Sequence, residues 1–463
     1  MDRHGRKLPL VVMLALVWPL SGCARYHERP LTKLAIDKAL RPPTLAQLMR
    51  AAAKIRHPIL KPVKLNLADG ISPDEAGVLA VLLNPSLRVE RDRRGVARAQ
   101  LIEAGIIPNP QLTGGIEIPV GKGTSGSTIP YSLGLEFDLR AIVLRGSKVD
   151  AARFNARQVD ISVAWQELVI AFGARLAAYR VVARIAQLRL QQEVVLRLEQ
   201  NLKTVRRAAH KGLLTDLELL ASRTALGEAR EELVAVQKQA ALAQLKLKAL
   251  IGLPASYSLT MQQGTQLPLS LPPIDAKALT RRLEQRRLDI VALSYGYKSQ
   301  EARVRAAILG QFPTIGIGLS HSRDNANFST IGFGITIELP IFDRNQGTIA
   351  LERATRKQLF DEYVGRLRQA RAEIARLASA VGWLNRQIRQ TQETLPHLEQ
   401  LLTTYKNALK LGQADILSYY QTWNKLTQKR IQLVELQLSL VEASLAISLA
   451  AGYYDVRARR GHR

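Results

Sequence analysis

The chain has 463 residues, 47% hydrophobic and only 5% aromatic, with 66 Lys and Arg against 39 Asp and Glu for a formal net charge of +27. A composition poor in aromatics favours long Ala- and Leu-rich helices over a compact enzyme core. The charge would suit nucleic acid, but Lys and Arg are spread among Glu along helical segments and the chain opens on an export signal, so nucleic-acid binding is set aside.

Arg3, Arg6 and Lys7 precede an apolar run from Leu8 to Leu20. That run is too short to span a bilayer and reads as a secretory signal peptide, residues 1–22. It ends at Leu20-Ser21-Gly22-Cys23, and Cys23 is the sole cysteine, which excludes an internal disulfide and a thiolate metal cluster. The tetrapeptide resembles the bacterial lipobox, so Cys23 is the expected lipid attachment point, and Ala24 in place of Asp implies transfer to the outer membrane. Residues 23–71, basic and Pro-bearing, read as a lipid-anchored tether. Beyond the signal no uninterrupted apolar stretch reaches the ~18 residues of a transmembrane helix, so further membrane contact needs a β-barrel.

A self-comparison gives the domain plan. Leu87–Pro110 matches Ile290–Pro313, and Gly134 and Gly212 match Gly334 and Gly412. Two repeats, 72–251 and 276–455, flank a Pro- and Gly-rich connector at 252–275, and a basic tail occupies 456–463. The first repeat opens on Ser72-Pro73-Asp74-Glu75, with Ser as cap, Pro at the first helical position and Glu75 closing the capping box.

Each repeat then reads helix, strand, strand, long helix, Gly turn, helix. Tyr131, Leu133, Leu135, Phe137 and Leu139 alternate with Ser132, Gly134, Glu136 and Asp138. In the second repeat Ile315, Ile317 and Leu319 alternate with Gly316, Gly318 and Ser320, and Ile331 to Leu339 alternates in the same way. Leu112–Ile118 supplies a weaker fourth strand. Strands of about nine residues, apolar on one face and small or polar on the other, fit a barrel with lipid outside and water inside. The glycines fall at strand period with no lysine or helix start behind them, so they are small residues on a crowded lumenal face and not a nucleotide loop. Four strands cannot close a barrel, so several copies must assemble.

Gly146–Lys211 and Gln346–Leu411 are the long helices, each reaching about 100 Å. The second carries a heptad seam from Phe360 through Tyr363, Ile374, Val381, Ile388 and Leu398 to Leu409, with Pro396 expected to kink it without ending it. The seven histidines lack metal-ligand spacing, no cofactor motif stands out, and no nucleophile elbow, Walker loop or carboxylate pair marks an enzyme.

In their order, Asn84-Pro85-Ser86-Leu87, Arg287-Leu288-Asp289-Ile290 and Glu338-Leu339-Pro340-Ile341-Phe342-Asp343 resemble the landmarks of the TolC-like outer membrane factor family, lipoprotein type. The resemblance covers nearly the whole mature chain. It implies a mixed α and β membrane protein, mainly a long coiled-coil helical barrel, with four transmembrane strands per protomer closing as a homotrimer with twelve strands. It also implies passive conduction from an inner-membrane transporter and a periplasmic adaptor (membrane fusion protein) through the outer membrane of a Gram-negative bacterium. A lipid-anchored periplasmic scaffold without a pore is the alternative, separable by conductance.

The same resemblance puts adaptor contact at the hairpin turns. Gly212 and Gly412 would take left-handed C-cap conformations, and Thr215, Asp216 and Asp415 lie where the next helix starts. Aperture positions, acidic in some family members, correspond to Ser418 and Gln421, which are neutral. Lys203, Arg206, Arg207 and Lys211 precede the first turn and complement a helix C-terminus. The cargo is not legible.

Overall fold

The computed structural model describes residues 24–41, 44, 47–50, 65, 69–120, 128–411, 413–414 and 416–454, in two units, Met1–Thr44 and Leu45–Arg463. In the first unit α1 spans Lys33–Leu40, capped by Thr32, whose hydroxyl accepts from the Ala35 amide at 3.2 Å. The signal peptide, Cys23 and the basic tail lie outside the described residues.

In the second unit α2, Pro73–Leu83, starts on the expected capping box. The Glu75 amide donates to Ser72 Oγ at 3.3 Å, and the Ser72 amide donates to Glu75 Oε2 at 3.0 Å. There follow α3 (Pro85–Gly105), β1 (Gln111–Ile116), β2 (Tyr131–Asp138), α4 (Leu139–His210) and α5 (Asp216–Ile251). Across the connector come α6 (Ala276–Thr280), α7 (Leu283–Arg286), α8 (Leu288–Leu309), β3 (Ile315–Arg323), β4 (Ser329–Ile337), α9 (Gln346–Lys410) and α10 (Ile416–Ala450).

Three strand boundaries differ from the sequence reading, the first being β1, which ends at Ile116 and not Ile118. Leu139 continues the strand alternation but is the first residue of α4, which therefore starts seven residues before Gly146. The reason is Asp138, whose carboxylate accepts from the Arg140 amide at 2.8 Å and caps the helix there. Leu339 likewise falls outside β4.

The 72 residues of α4 and 65 of α9 reach about 108 and 98 Å. Their shorter partners, 21 and 36 residues in the first repeat and 22 and 35 in the second, each span about 86 Å when laid end to end. The end-to-end joints are built. Asn84 Nδ2 donates to the Leu250 carbonyl at 2.8 Å, joining the end of α5 to the start of α3. Gly252 sits there at φ +90°, where a Cβ would lie 2.8 Å from the Leu83 carbonyl. In the second repeat Arg287 Nη1 donates to the Ala450 carbonyl at 3.3 Å, joining α10 to α8. Leu87 and Ile290, paired by the self-comparison, are both fully buried at these joints.

The α9 seam is core. Ala370, Ile374, Leu377, Val381 and Ile388 are buried with Leu440, Ala443 and Ile447 of α10, whereas Phe360 lies outside the seam and exposed. The helix is continuous through Pro396. By length and composition α10 is apolar enough to cross a membrane, contrary to the expectation that no helix is. Only 28% of that apolar window is buried, with Leu440, Ala443 and Ile447 packed along this core.

The four strands form one antiparallel sheet in the order β1-β2-β3-β4, so the repeats meet at the β2–β3 pair. α3 enters the sheet at Gln111, α4 leaves from Asp138, α8 enters at Ile315 and α9 follows Ile337, which puts these four helices at one end of the sheet. Two hairpin loops occupy the other end.

Candidate functional site

The sheet's register decides what its faces offer. Leu112, Leu135, Leu319 and Phe333 lie in one row across the four strands, and Phe137, Ile317 and Ile335 in the next. Slipping any strand by one residue would scatter these rows across both faces. The opposite face carries rows such as Thr113, Gly134, Ser320 and Gly332, and Gly115, Ser132, Ser322 and Thr330. Close approach explains Gly134 and Gly332, where a Cβ would meet Thr113 Oγ1 at 2.6 Å and Ser320 Oγ at 2.7 Å. Gly334 has nothing within 4 Å, so crowding does not extend to it.

The apolar face is bare. Phe333 is 68% exposed, Ile331 85% and Leu112 75%. No described element packs over it, and such a contiguous apolar surface on a sheet with two free edges marks a surface that meets lipid or a partner. At the helical end Arg140 Nη1 donates to Thr314 Oγ1 at 3.0 Å, and Thr314 Oγ1 donates to Glu338 Oε2 at 2.8 Å, tying α4 to both strands of the second hairpin.

The hairpin ends are at the far tips of the long helices. Gly212 takes φ +69°, the expected left-handed conformation. Its amide donates to the Ala209 carbonyl at 2.9 Å and the Leu213 amide to the Ala208 carbonyl at 3.0 Å. Thr215 caps α5 in a full capping box with Glu218, the Glu218 amide donating to Thr215 Oγ1 at 3.3 Å, and Asp216 is the first helical residue. Sequence reasoning assigned the helix start to Asp216 and missed Glu218, three residues after the Thr, as the signal. Gly412 and Asp415 lie outside the described residues, yet the second turn closes alike, the Gln413 amide donating to the Ala408 carbonyl at 2.9 Å.

Ser418 and Gln421 lie one turn apart at the start of α10, Ser418 half-buried and Gln421 exposed. Lys203, Arg206, Arg207 and Lys211 are exposed at the end of α4 and its cap. Exposed Leu213, Leu217 and Leu220 lie beside them.

Behind the tips an aromatic cluster welds the two hairpins together. Tyr420, Trp423 and Leu426 of α10 pack with Val194 and Leu198 of α4, Leu226 of α5 and Leu402 of α9. Tyr420 Oη lies 3.0 Å from Ser222 Oγ, and the Arg197 guanidinium sits 4.8 Å over the Trp423 ring. Sequence analysis did not single these residues out. Their signal was three aromatics within five residues of a chain that is 5% aromatic. Burial holds the Tyr420 phenol above its ordinary value, with the Ser222 hydrogen bond opposing. Among the described residues no cluster of three or more His, Cys, Asp or Glu could hold a metal.

This fold is that of the outer-membrane channel proteins. The solved structure of the outer membrane protein VceC from Vibrio cholerae superposes with a TM-score of 0.69 over 82% of this chain and 96% of that one, at 19% identity. Residues 279–453, nearly all of the second repeat, match the outer membrane efflux protein family model. The pyoverdine export outer membrane protein OpmQ of Pseudomonas putida is 26% identical over 66% of this chain, which spans 64% of that protein's length. The probable outer membrane lipoprotein SilC of Salmonella typhimurium is 25% identical over 80% of this chain and 84% of its own. The second repeat thus matches the outer membrane efflux protein family, and the chain is an outer-membrane protein.

Proposed function

We propose that the chain is the outer-membrane duct of a tripartite export system. Three copies join β4 of one to β1 of the next, closing four strands each into a twelve-stranded barrel. The long helices continue the barrel as a tunnel, and solutes pass through it passively. A periplasmic adaptor and an inner-membrane transporter dock on the hairpin ends, around Gly212, Thr215, Asp216, Gly412 and Asp415, and supply the drive. Ser418 and Gln421 line the aperture, and Cys23 carries the lipid that fixes the chain to the membrane. The export role printed for the Pseudomonas relative supports this reading.

The observation that carries it is the sheet: one face apolar and exposed in register across all four strands, the other small and polar, with both edges unpaired. A partner sheet could cover the apolar face but would leave the edges open, whereas closure in lipid satisfies face and edges together. The protein lowers no chemical barrier in this scheme, and no reaction is assigned to it.

Purified protein in planar bilayers should give discrete conductance steps. Phe333→Arg or Leu135→Arg puts a cation on the lipid side and should cost about 2–4 kcal/mol near midplane, whereas Thr336→Arg projects into water. Insertion should fail for the first two and survive in the third. Equal tolerance at all three positions would refute the assigned faces, and insertion without conductance would leave an anchored scaffold. For the anchor, Cys23→Ser should abolish lipid attachment, read by mass spectrometry of the mature N-terminus, and an unmodified Cys23 in exported protein would remove that part of the proposal.

A further inference from the structure

We propose that the inner wall of the duct carries, midway along its helices, a cationic aromatic belt of Trp383 and Arg386 from each protomer that binds flat organic anions as cargo. The inference rests on the duct reading above and names the class of solute that the duct holds.

The belt begins where acids are missing. No Asp or Glu lies between Glu167 and Glu193 of α4, between Glu232 and the end of α5, or between Glu373 and Glu393 of α9. The three stretches share one level. Ala177 and Val181 of α4 pack with Leu247 of α5, and the repeat offset that pairs Gly212 with Gly412 sets Ala183 of α4 level with Trp383 of α9. The remaining wall helix, α10, brings Glu435 and Glu442, which are answered by Arg184 at 3.6 Å and Arg180 at 3.0 Å. On the outer layer Glu284 meets Arg371 at 3.5 Å and Asp74 meets Arg175 at 2.8 Å. Arg376, Arg386 and Arg389 of α9 are exposed and form no ion pair among the described residues. The level is therefore cationic.

Trp383 stands about 55 Å along α9 from its start at Gln346. It is 60% exposed, the one exposed Trp among the described residues. Two residues are about 200° of helical turn, so Trp383 faces away from Val381 of the seam and equally away from Asn385. Asn385 faces the connector, its Oδ1 accepting from the Leu271 amide at 3.1 Å and its Nδ2 donating to the Leu271 carbonyl at 2.8 Å. A connector runs outside an open duct, which turns Trp383 inward. The Arg386 guanidinium lies 4.8 Å from the indole centroid, over one face of the ring. A flat anion completes this pair, its ring stacking on the indole while its charge meets Arg386, and Arg376 stands two turns nearer the sheet on the same side. A saturated anion forgoes the stacking, and a flat cation meets like charge.

The test is equilibrium dialysis of the full-length assembly in detergent against naphthalene-2-sulfonate, cyclohexanesulfonate and the flat cation N-methylquinolinium. Wild type should hold the first about tenfold better than either of the others, a stacked ring and a charge-assisted contact each being worth roughly that factor. Trp383→Leu should erase the preference for the flat ring, Trp383→Phe should keep part of it, and Arg386→Gln should weaken the preference for anion over cation. Arg371→Gln, on the connector side, should change neither. Equal binding of naphthalene-2-sulfonate by wild type and Trp383→Leu would overturn the belt. So would Trp383→Leu assemblies that fall into monomers, because the ring would then be covered by a second copy of the chain. Dialysis needs no open pore, so the two readings fail separately: a wild type that conducts without binding sinks only the belt, and a wild type that never conducts removes the duct and with it the cargo role of any bound anion.

Discussion

Arg287 is the residue on which the second repeat's end-to-end helix joint turns, and replacing it with Ala tests that joint. Its side chain is 7% exposed and Nε donates to Asp289 Oδ1 at 2.9 Å, while Nη1 reaches Glu373 Oε2 at 3.1 Å and the Ala450 carbonyl at 3.3 Å. The guanidinium also lies 5.4 Å over the Trp165 ring of α4. Breaking a buried ion pair by removing one member costs about 3–5 kcal/mol, because the other charge is left behind. Here Asp289 is 9% exposed but keeps Arg366 Nε at 2.8 Å and the Ile290 amide at 2.9 Å. Those two contacts pull the expectation to the low end, about 3 kcal/mol. Large assemblies unfold irreversibly, so the reading should be an unfolding rate at fixed temperature in detergent, where about 3 kcal/mol is roughly two orders of magnitude. Arg287→Lys should recover little, since a point charge cannot serve acceptors on three elements. A cycle with Asp289→Asn should show coupling of about 0.5–3 kcal/mol. If Arg287→Ala unfolds within about threefold of wild type, the joint is not held by this network and the argument fails.

Thr215→Ala removes the cap of α5 and should cost about 1 kcal/mol, seen as faster amide exchange confined to the first turn of that helix. Tyr454, whose Oη accepts from the Leu288 amide at 3.1 Å, has its phenol pushed up by burial to about 12, so the stability tied to it is complete below pH 10 and lost as pH rises through about 12. Tyr454→Phe should flatten that part of the alkaline unfolding curve followed by circular dichroism. With neutral Ser418 and Gln421 at the proposed aperture, exposed Lys203, Arg206 and Arg207 would set the field. Reversal potentials should show weak cation or outright anion preference, moving toward cations in Ser418→Asp/Gln421→Asp, and strong cation selectivity in wild type would refute that placement.

What the sequence made legible follows from periodicity. The α9 seam was readable because steps of three and four can be satisfied by only one buried stripe, and Ala370, Ile374 and Val381 are that stripe. Strand faces were readable because alternation fixes parity, and the left-handed Gly212 because only Gly ends a helix there at no cost. The joints were not. Asn84 and Arg287 stood out only as members of a resemblance, because their work is done on Leu250 and Ala450, each over 160 residues away. No local pattern encodes a contact of that separation. Leu139 failed for the opposite reason: its parity was right, and the capping carboxylate of Asp138 outweighed it.

The strand order was open for the same physical reason. Every strand here has the same binary pattern, so parity allows any of them to lie beside any other, and only hairpin length and the helices fix neighbours. The loops β1–β2 and β3–β4 make their own hairpins, but β2 and β3 are separated by α4 to α8, and pair because α5 and α8 together return the chain to its starting height. Once Asn84 and Leu250 hold α5 under α3, and Arg287 and Ala450 hold α10 under α8, each repeat delivers its hairpin to the same level with its apolar rows in line. If so, loosening a joint should disturb the sheet from a distance. Asn84→Ala, some 50 residues from Leu135, should reduce insertion into bilayers while leaving helix content unchanged by circular dichroism. Loss of helix in step with loss of insertion would mean that the joint stabilises the helices themselves and does not set the level of the strands.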